Sequence, residues 1–310
     1  MPNAIPLLEG TPASGGYLVP TEYVQNAFQR GIDRQSAVAS LSQVRRVSGK
    51  QVQFTEYVGR PVAAFVAEGA AKPATGAEYA PVTVDIKKIA ATVMYTEELI
   101  EDAQDDPTLL VNQDVRASIA DLIDAHALGM TSAGALVSQF NTELVTTTQT
   151  VEYVAADADG LADAVSAAME MIEANGYMPN GAILARDGRA VLRNARDADG
   201  RPLYGMGGGG FTTPTQEIWG VPIRYSTNLQ TFAGAAAVGR VVGVVGDFSG
   251  AMLAVRNDIR VKFSDQATID VAGTKHDLWQ QNKVASLWEC RVGFVAHDLN
   301  RRFVAILNAV

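Results

Sequence analysis

The stretch DPTLLVNQDVRASIADLIDAHALG, residues 106–129, carries the strongest structural signal in this sequence. Asp106 followed by Pro107 is a typical helix start, because an acidic N-cap accepts hydrogen bonds from free N–H groups and proline fits the first helical position. Apolar side chains then recur at helical spacing until Gly129, which suits the position just past a helix end. The stretch therefore predicts one helix of about 22 residues, a stiff rod roughly 30 Å long at ~1.5 Å per residue.

Upstream of this helix the sequence predicts extended structure. Residues 51–58 and 82–95 are rich in Val, Ile, Thr and Tyr, with partial alternation of apolar and polar positions. Between them lies a stretch rich in Gly, Ala and Pro, around residues 67–73. This pattern predicts a long two-stranded hairpin with an irregular tip. Such a hairpin has little core of its own, so it needs a partner surface.

The first part of the chain predicts an arm followed by a helix. The first twenty residues are rich in proline and glycine, which excludes regular structure there. In an isolated domain such a segment should fray. Val24, Phe28 and Ile32 then recur at four-residue spacing, which predicts a helix over residues 21–41.

Downstream of the long helix, further helices and strands follow without an internal repeat. A second helix is expected after Asp159 and ends at Asn175–Gly176, and a short helix is expected after Asp187 as its N-cap. The expected strands are 182–185, 218–225, 241–245, 252–255, 259–263 and the cleanly alternating 284–297. This order of elements indicates an α+β fold and not repeating βαβ units.

The composition narrows the possible classes of function. With 310 residues, 47% of them hydrophobic, the chain is long enough for a sizeable core and does not have the composition of a disordered protein. Its net charge is −9 and its basic residues are scattered, which disfavours specific DNA binding but allows an acidic wall that encloses DNA. No apolar run reaches the ~20 residues that span a bilayer, and the N-terminus has no secretion signal.

The chemistry-bearing residues also point away from an ordinary active site. Cys290 is the single cysteine, which suits a reducing cytoplasm, and the three histidines have no metal-ligand spacing, so we expect neither a metal nor a cofactor. The run 207–210 lacks the Lys-Ser/Thr of a phosphate-binding loop, so a surface loop is favoured. Asp157, Asp159 and Asp163 lack the bidentate glutamate of a calcium loop, and helix capping accounts for Asp159.

Two further patterns have simpler interpretations than catalysis or nucleic-acid binding. His297-Asp298 could belong to a catalytic triad, but no Gly-x-Ser-x-Gly turn accompanies it. Trp288 and Phe294 alternate with polar residues in one strand, so a place in the core is favoured over a base-stacking platform.

Eight short motifs occur in a distinctive order along the chain. They are GGYLVP (15–20), VAEGAAKP (66–73), YTEELIED (95–102), RD (186–187), DGRPLY (199–204), WGVP (219–222), NKVASLWECR (282–291) and FVAI (303–306). Together they resemble the Hong Kong 97-type major capsid proteins of tailed bacteriophages over nearly the whole chain.

The resemblance implies an α+β fold of the Hong Kong 97 type. It implies an N-terminal arm with the first helix (1–47) and an extended loop, the E-loop (48–94). It also implies a peripheral domain with a long spine helix (95–149 and 273–297). The axial domain that it implies (150–272 and 298–310) meets its copies around five-fold and six-fold axes.

The same resemblance implies a major capsid protein, whose hexamers and pentamers form an icosahedral shell around double-stranded DNA. We then expect the protein in the virion, assembled in the host bacterial cytoplasm, with a portal as a partner. Some relatives carry an N-terminal scaffolding segment that is removed at maturation. Because this chain starts close to the arm, we expect a separate scaffolding protein or none. Two other classes remain: an encapsulin-like compartment that houses a cargo enzyme, and an enzyme of unrecognised type.

The family also implies one reaction. In some members a lysine of the E-loop attacks an asparagine of a neighbouring subunit, assisted by a glutamate, which forms an isopeptide bond and releases ammonia. Lys72, Asn282 and Glu289 fall on the matching positions. The reaction needs a neutral amine and a basic carboxylate, so burial must shift both pKa values. In the alternative interpretation, Lys72 is only a charge at the loop tip and Glu289 pairs with Arg291.

Overall fold

The computed structural model describes residues 36–59, 61, 63–68, 71–72, 76, 78–98, 107–130, 136–137, 139–154, 160–195, 217–229, 241–271 and 273–308. The α-helices are α1 (Ala37–Leu41), α2 (Pro107–Leu128), α3 (Gly160–Ala174), α4 (Gly188–Asn194) and α5 (Leu299–Arg302). The strands are β1 (Gln43–Arg46), β2 (Gln51–Gly59), β3 (Glu78–Asp85), β4 (Lys87–Thr96), β5 (Thr150–Tyr153), β6 (Gly181–Ala185), β7 (Glu217–Ile218), β8 (Val221–Ser226), β9 (Val241–Gly246), β10 (Ala251–Ser264), β11 (Thr268–Val271), β12 (Thr274–Asp277), β13 (Lys283–Ala296) and β14 (Phe303–Asn308).

The largest sheet has six strands in the order β5-β14-β9-β6-β8-β7. Every residue of β6 and β9 is buried, and α3 packs against β5, β9 and β14. Parallel pairs, such as β6 with β8, and antiparallel pairs, such as β6 with β9, occur in this one sheet. The mixed topology confirms the α+β fold, since repeating βαβ units would give parallel neighbours throughout.

The second sheet has four strands in the order β1-β10-β13-β4. Every second residue along the middle of β13 is buried, and these side chains join the same hydrophobic core as Ile119 and Ile123 of α2. The inward residues are Trp288, Cys290, Val292, Phe294 and Ala296. The expected apolar face of residues 284–297 is thereby confirmed, because side chains of a strand alternate between its two faces.

The long helix matches its prediction at both ends. α2 covers Pro107–Leu128, 22 residues, and Gly129 follows it with φ +90°. A positive φ is strained for residues with a side chain, so glycine is the residue that ends a helix in this way. α3 also ends as predicted, because Gly176 follows it with φ +83°.

The hairpin of β2 and β3 forms a two-stranded sheet of its own. At its base, Val84 and Ile86 pack with Met252, Ala254 and Val295, which lie on the outer face of the four-stranded sheet. Every described residue between the two strands, from 61 to 76, is exposed. The predicted core-poor hairpin with an irregular tip is confirmed.

The second arm of the hairpin is shorter than the pattern over 82–95 indicates. Residues 78–85 pair with β2, but β4 starts at Lys87 and pairs with β13. The chain therefore changes partners around Ile86. Both halves have the same β-favouring composition, so local sequence does not distinguish them.

The helix predicted over residues 21–41 is not continuous. Ser36 has extended backbone (φ −88°, ψ 121°), and its side chain accepts a hydrogen bond from the N–H of Ala39 to cap the five-residue α1. An N-cap residue with extended backbone starts a new helix. Residues 21–35 lie outside the described ranges.

Three smaller expectations are corrected. The strands predicted at 252–255 and 259–263 are one strand, β10, with irregularities in its register between residues 255 and 260. The strand predicted at 218–225 is interrupted at Trp219 and Gly220, which both have positive φ. Asp187 precedes α4 but makes no side-chain capping bond, because its own backbone is already helical (φ −78°, ψ −12°).

The sequence did not predict a second hairpin, which β11 and β12 form. The hairpin of β11 and β12 is a second two-stranded sheet, and its polar strands resemble a loop in sequence. Across the described ranges, no helix combines the length and the apolar character that crossing a membrane requires.

Candidate functional site

Glu289, Asn282 and Lys72 lie in three different settings. Glu289 is in the middle of β13, Asn282 directly precedes that strand, and Lys72 is exposed in the segment between β2 and β3. Asn282 and Glu289 are seven positions apart in sequence, which corresponds to roughly 23 Å of extended chain at ~3.3 Å per residue. One subunit therefore does not bring this asparagine and this glutamate together.

Asn282 occupies a tight turn. Its φ is +47°, in the left-handed region that asparagine adopts more readily than most residues. Its carbonyl accepts a hydrogen bond from the backbone N–H of Glu97 at 3.0 Å, and the N–H of Lys283 donates to the carbonyl of Leu278 at 3.0 Å. The first bond holds the start of β13 against the end of β4 and the second closes the turn, while Asn282 stays exposed.

Glu289 lies among cationic side chains. Arg260 of β10 is directly opposite it, and Lys88 reaches it from β4 to form an ion pair between Nζ and Oε1. The hydrogen bond from Lys88, assisted by the positive charges of Lys88, Lys262 and Arg291, lowers the pKa of Glu289. A carboxylate with a lowered pKa is a weaker base, so in the subunit alone Glu289 is poorly suited to accept a proton.

The alternative pairing of Glu289 with Arg291 is not the one that forms. The ion pair is with Lys88, across the antiparallel pair of β4 and β13. Arg291 stands two residues further along the same strand, where side chains point in parallel away from the sheet. Lys88 is directly opposite Arg291 and diagonal to Glu289, and a long side chain can reach a diagonal neighbour.

Trp288, Phe294 and Asp298, which the sequence offered as base-stacking or catalytic candidates, have structural roles. Trp288 is 4% exposed and its Nε1 donates to Ser286 Oγ at 3.0 Å, and Phe294 is completely buried. Both are core residues, as expected. The carboxylate of Asp298 accepts a hydrogen bond from the Tyr177 hydroxyl at 2.6 Å, so it holds a tyrosine in place. Burial and this carboxylate raise the pKa of Tyr177.

The remaining sequence candidates lie largely outside the described residues. These are the 207–210 run, Asp157 and Asp159; Asp163 lies in the first turn of α3. In the described part of the chain no three His, Cys, Asp or Glu side chains cluster as metal ligands do. The Cys290 thiol is buried, and burial raises its pKa to about 12, so it is an unreactive core group.

One buried carboxylate was missed by the sequence reasoning. Asp124 of α2 is 3% exposed, and it accepts hydrogen bonds from Ser36 Oγ and from the backbone N–H groups of Ala37 (2.8 Å) and Val38 (3.1 Å). It thereby caps α1 from another helix. Burial raises its pKa to about 6, although the three hydrogen bonds oppose this shift. The available signal was its position, four residues before the buried Leu128 on the inward stripe of α2.

The short helix α1 lies between α2 and the six-stranded sheet. It contacts α2 on one side and β6 and β8 of the six-stranded sheet on the other. Arg224 of β8 donates from Nε to Ser40 Oγ at 3.2 Å, and Asn228 donates from Nδ2 to the carbonyl of Asp121 at 2.9 Å. Polar contacts therefore join α2 to the six-stranded sheet and the segment after it, both directly and through α1.

Comparison with known proteins adds the following. The family described as "Phage capsid family" matches residues 15–300. Comparison with curated proteins finds no match. Among solved structures, one from Microbacterium phage Oxtober96 is 24% identical with a TM-score of 0.70, covering 89% of this chain and 91% of that chain. One from Mycobacterium phage Ogopogo is 23% identical with a TM-score of 0.69, covering 89% and 92%.

A third structure comes from a different kind of particle. The capsid of the native GTA particle is 17% identical with a TM-score of 0.62, covering 88% of this chain and 90% of that chain. At these identities the likeness concerns the fold.

Proposed function

Since this chain belongs to the phage capsid family, we propose that its copies form hexamers and pentamers of an icosahedral shell that encloses double-stranded DNA. It is the major capsid protein of a tailed phage, a structural subunit of a multimeric shell. The single observation that carries this assignment is the family match over nearly the whole chain. Assembly in the host bacterial cytoplasm, with a portal and a separate scaffolding protein, completes the proposal.

The described fold supports a division of the subunit into an axial domain, a peripheral domain and an E-loop. The six-stranded sheet with α3 corresponds to the proposed axial domain (150–272 and 298–310). The four-stranded sheet with α2 corresponds only in part to the proposed peripheral domain (95–149 and 273–297), because its strands β1 and β10 come from the ranges proposed for the arm and the axial domain. The β2–β3 hairpin corresponds to the E-loop (48–94), although β4, which starts at Lys87, is part of the four-stranded sheet. The arm (1–47) lies mostly outside the described residues.

The experiment for the shell is expression of the full chain followed by electron microscopy and analysis of bound nucleic acid. Closed particles of uniform size are the expected result, with a portal vertex and packaged DNA when the phage's other proteins are present. A chain that stays a stable monomer at all concentrations, even with the phage's other proteins present, would overturn the proposal. Particles that contain a cargo enzyme and no DNA would instead indicate the encapsulin-like compartment, which the comparisons do not favour.

We also propose that the amine of Lys72 attacks the side-chain amide of Asn282 on another subunit, assisted by Glu289, which forms an isopeptide bond and releases ammonia. Lys72 and Asn282 are exposed and available to neighbours, which supports this role. Because Asn282 and Glu289 lie far apart on one strand, the asparagine and glutamate of one cross-link would come from different copies. Glu289 would also have to leave Lys88, since the reaction needs a basic carboxylate.

A denaturing gel of boiled, assembled particles tests the cross-link. A ladder of covalent oligomers is expected for the wild type, and Lys72→Ala or Asn282→Ala should abolish it. Glu289→Gln should slow its formation. A single band near the 32.9 kDa monomer from intact wild-type particles would end this proposal and leave the shell assignment standing.

A further inference from the structure

The four-stranded sheet concentrates the positive charge of an acidic chain. Its strands β1, β4, β10 and β13 hold nine of the 25 Lys and Arg residues and two of the 34 Asp and Glu residues. The sheet is therefore strongly positive, although the whole chain has a net charge of −9. The remainder of the chain is correspondingly more acidic than the net charge indicates.

Much of this charge lies on one face. In the strand register Arg260 is opposite Glu289, Lys262 is opposite Leu287, and Lys88 is opposite Arg291. Residues directly opposite one another share a face of the sheet. Lys88, Arg260, Lys262 and Arg291 therefore surround Glu289 on the face that points away from the core, and we call these four residues the cationic face.

The cationic face is electrostatically unfavourable in a lone subunit. Lys88 and Arg291 are like charges directly opposite each other, an arrangement that destabilises a sheet. Four cations share the one carboxylate of Glu289, and Lys88 already engages it. A fold that carries this repulsion gains when further carboxylates arrive from outside.

The subunit's own hairpin covers only the other end of this sheet surface. Its base packs on Met252, Ala254 and Val295, and Arg45 of β1 stacks over Phe54 of β2 with 5.8 Å to the ring centre. Arg260 and Lys262 remain exposed, and the side chain of Lys88 is 47% exposed despite its ion pair. The cationic face is thus accessible to another molecule.

We infer that the cationic face is a docking surface for carboxylates of a second copy of this chain. The inference rests on the proposed shell function and deepens it. A second copy has the complementary charge, because 32 of the 34 acidic residues lie outside the four strands. Residues 97–106, for example, include six acidic residues and no basic one, and Glu97 and Glu98 are exposed.

DNA is the less suitable occupant of this face. Glu289 stands in the middle of the cations and repels a continuous row of phosphates, whereas single carboxylates can bind the outer cations around it. An incoming carboxylate also competes with Glu289 for Lys88. Docking would therefore weaken the bond that lowers the pKa of Glu289.

Zero-length cross-linking of assembled particles identifies the occupant. Particles assembled from equal parts of ordinary and 15N-labelled chains are treated with a carbodiimide, which joins an amine to a carboxylate in direct contact, and are then digested for mass spectrometry. Lys88 and Lys262 are expected in peptides that join an ordinary chain to a labelled one. Particles that form normally but join these lysines only within one chain would overturn the inference and leave the shell function intact.

Charge reversal tests the energetic role of the face. The double variant Arg260→Glu with Lys262→Glu should raise the protein concentration needed for assembly at least about tenfold, since like charges would meet across the interface. Arg260→Lys with Lys262→Arg keeps the charge and should assemble as the wild type does. Lys87→Glu is the matched control, because Lys87 is on the same strand as Lys88 but is opposite Val292, on the other face.

Assembly of the charge-reversed variant at the wild-type concentration would contradict the inference. Normal assembly with loss of bound DNA would assign the face to DNA instead, which also overturns it. A circular dichroism spectrum and a melting temperature of the free subunit establish that the variant folds. A wild-type chain that forms no particles even with the phage's other proteins present would contradict the proposed function itself.

Discussion

The six-stranded sheet and the β2–β3 hairpin differ in where their stabilising contacts come from. Every residue of β6 and β9 is buried inside the subunit, and Phe248 and Phe303 meet edge to face with 5.3 Å between ring centres. The hairpin has a small apolar base, and beyond it Phe65 is completely exposed. The six-stranded sheet finds its stabilising contacts within a single chain, so we call it the complete region. The hairpin needs another surface to cover its apolar residues. A shell subunit needs both, since it must fold alone and then bind its neighbours.

The largest expected loss of stability is at the core beside the six-stranded sheet. Phe248→Ala removes a fully buried ring and leaves a cavity, so we expect the free energy of unfolding of the free subunit to fall by about 3–5 kcal/mol. Urea denaturation followed by circular dichroism measures this. A loss below about 1 kcal/mol would show that the six-stranded sheet does not carry the stability of the subunit.

A pH effect at Asp124 tests whether α1 belongs to the complete region. The folded pKa of Asp124 is about 6 against an ordinary 3.8, because burial penalises the charged form. The raised pKa stabilises the folded state fully below about pH 4, where the carboxyl group is protonated. This stabilisation is lost as the pH rises through about 6 and the buried group becomes charged. The group accounts for about 3 kcal/mol of this pH dependence.

The measurement compares the wild type with Asp124→Asn by urea denaturation between about pH 4 and pH 7. Other carboxyl groups titrate in both proteins, so the difference between the two isolates Asp124. The wild type should gain stability relative to the variant as the pH falls from 7 to 4. A difference that is independent of pH would show that Asp124 is not buried as a charge in solution.

A smaller effect is expected at the base of the hairpin. Val84 is completely buried between the hairpin and the outer face of the four-stranded sheet. Val84→Ala removes two methyl groups, which should cost the free subunit about 2 kcal/mol by the same urea assay. An unchanged stability would mean that the hairpin is detached along its whole length and would sharpen the contrast with the six-stranded sheet.

The smallest effect on the free subunit is expected at the hairpin tip. Phe65 makes no buried contact in the subunit, so Phe65→Ala should change the free energy of unfolding by less than about 0.5 kcal/mol. If the tip binds a neighbour, the same variant should assemble less well in a light-scattering assay. Normal assembly of Phe65→Ala would refute a role for this ring between subunits.

Local signals allowed several elements to be predicted at nearly their observed bounds. Pro107 and Gly129 frame α2, and Gly176 ends α3, because proline and glycine restrict the backbone at their own positions. The alternation of buried and more exposed side chains along β13 was also predictable from its sequence. By contrast, the change of partner near Ile86 and the merging of two segments into β10 depend on which distant strand offers a free edge.

The residues of the candidate site were predictable from sequence motifs, but their contacts were not. Sequence motifs singled out Lys72, Asn282 and Glu289, and the structure adds that Glu289 pairs with Lys88, 201 positions away in sequence. The capping of α1 by Asp124 joins residues 87 positions apart. Neither contact has a local signature, because a side chain selects its partner only after both strands or helices are in place.

By itself, the sequence determined the α+β class, the long helix, the core-poor hairpin and the family. All of these follow from local backbone preferences, the period of apolar residues and the order of motifs. Only the tertiary structure decided which strands pair, which carboxylates are buried and which face collects the cations. Those outcomes depend on register and packing between distant segments, where a shift of one residue moves every side chain of a strand to the other face.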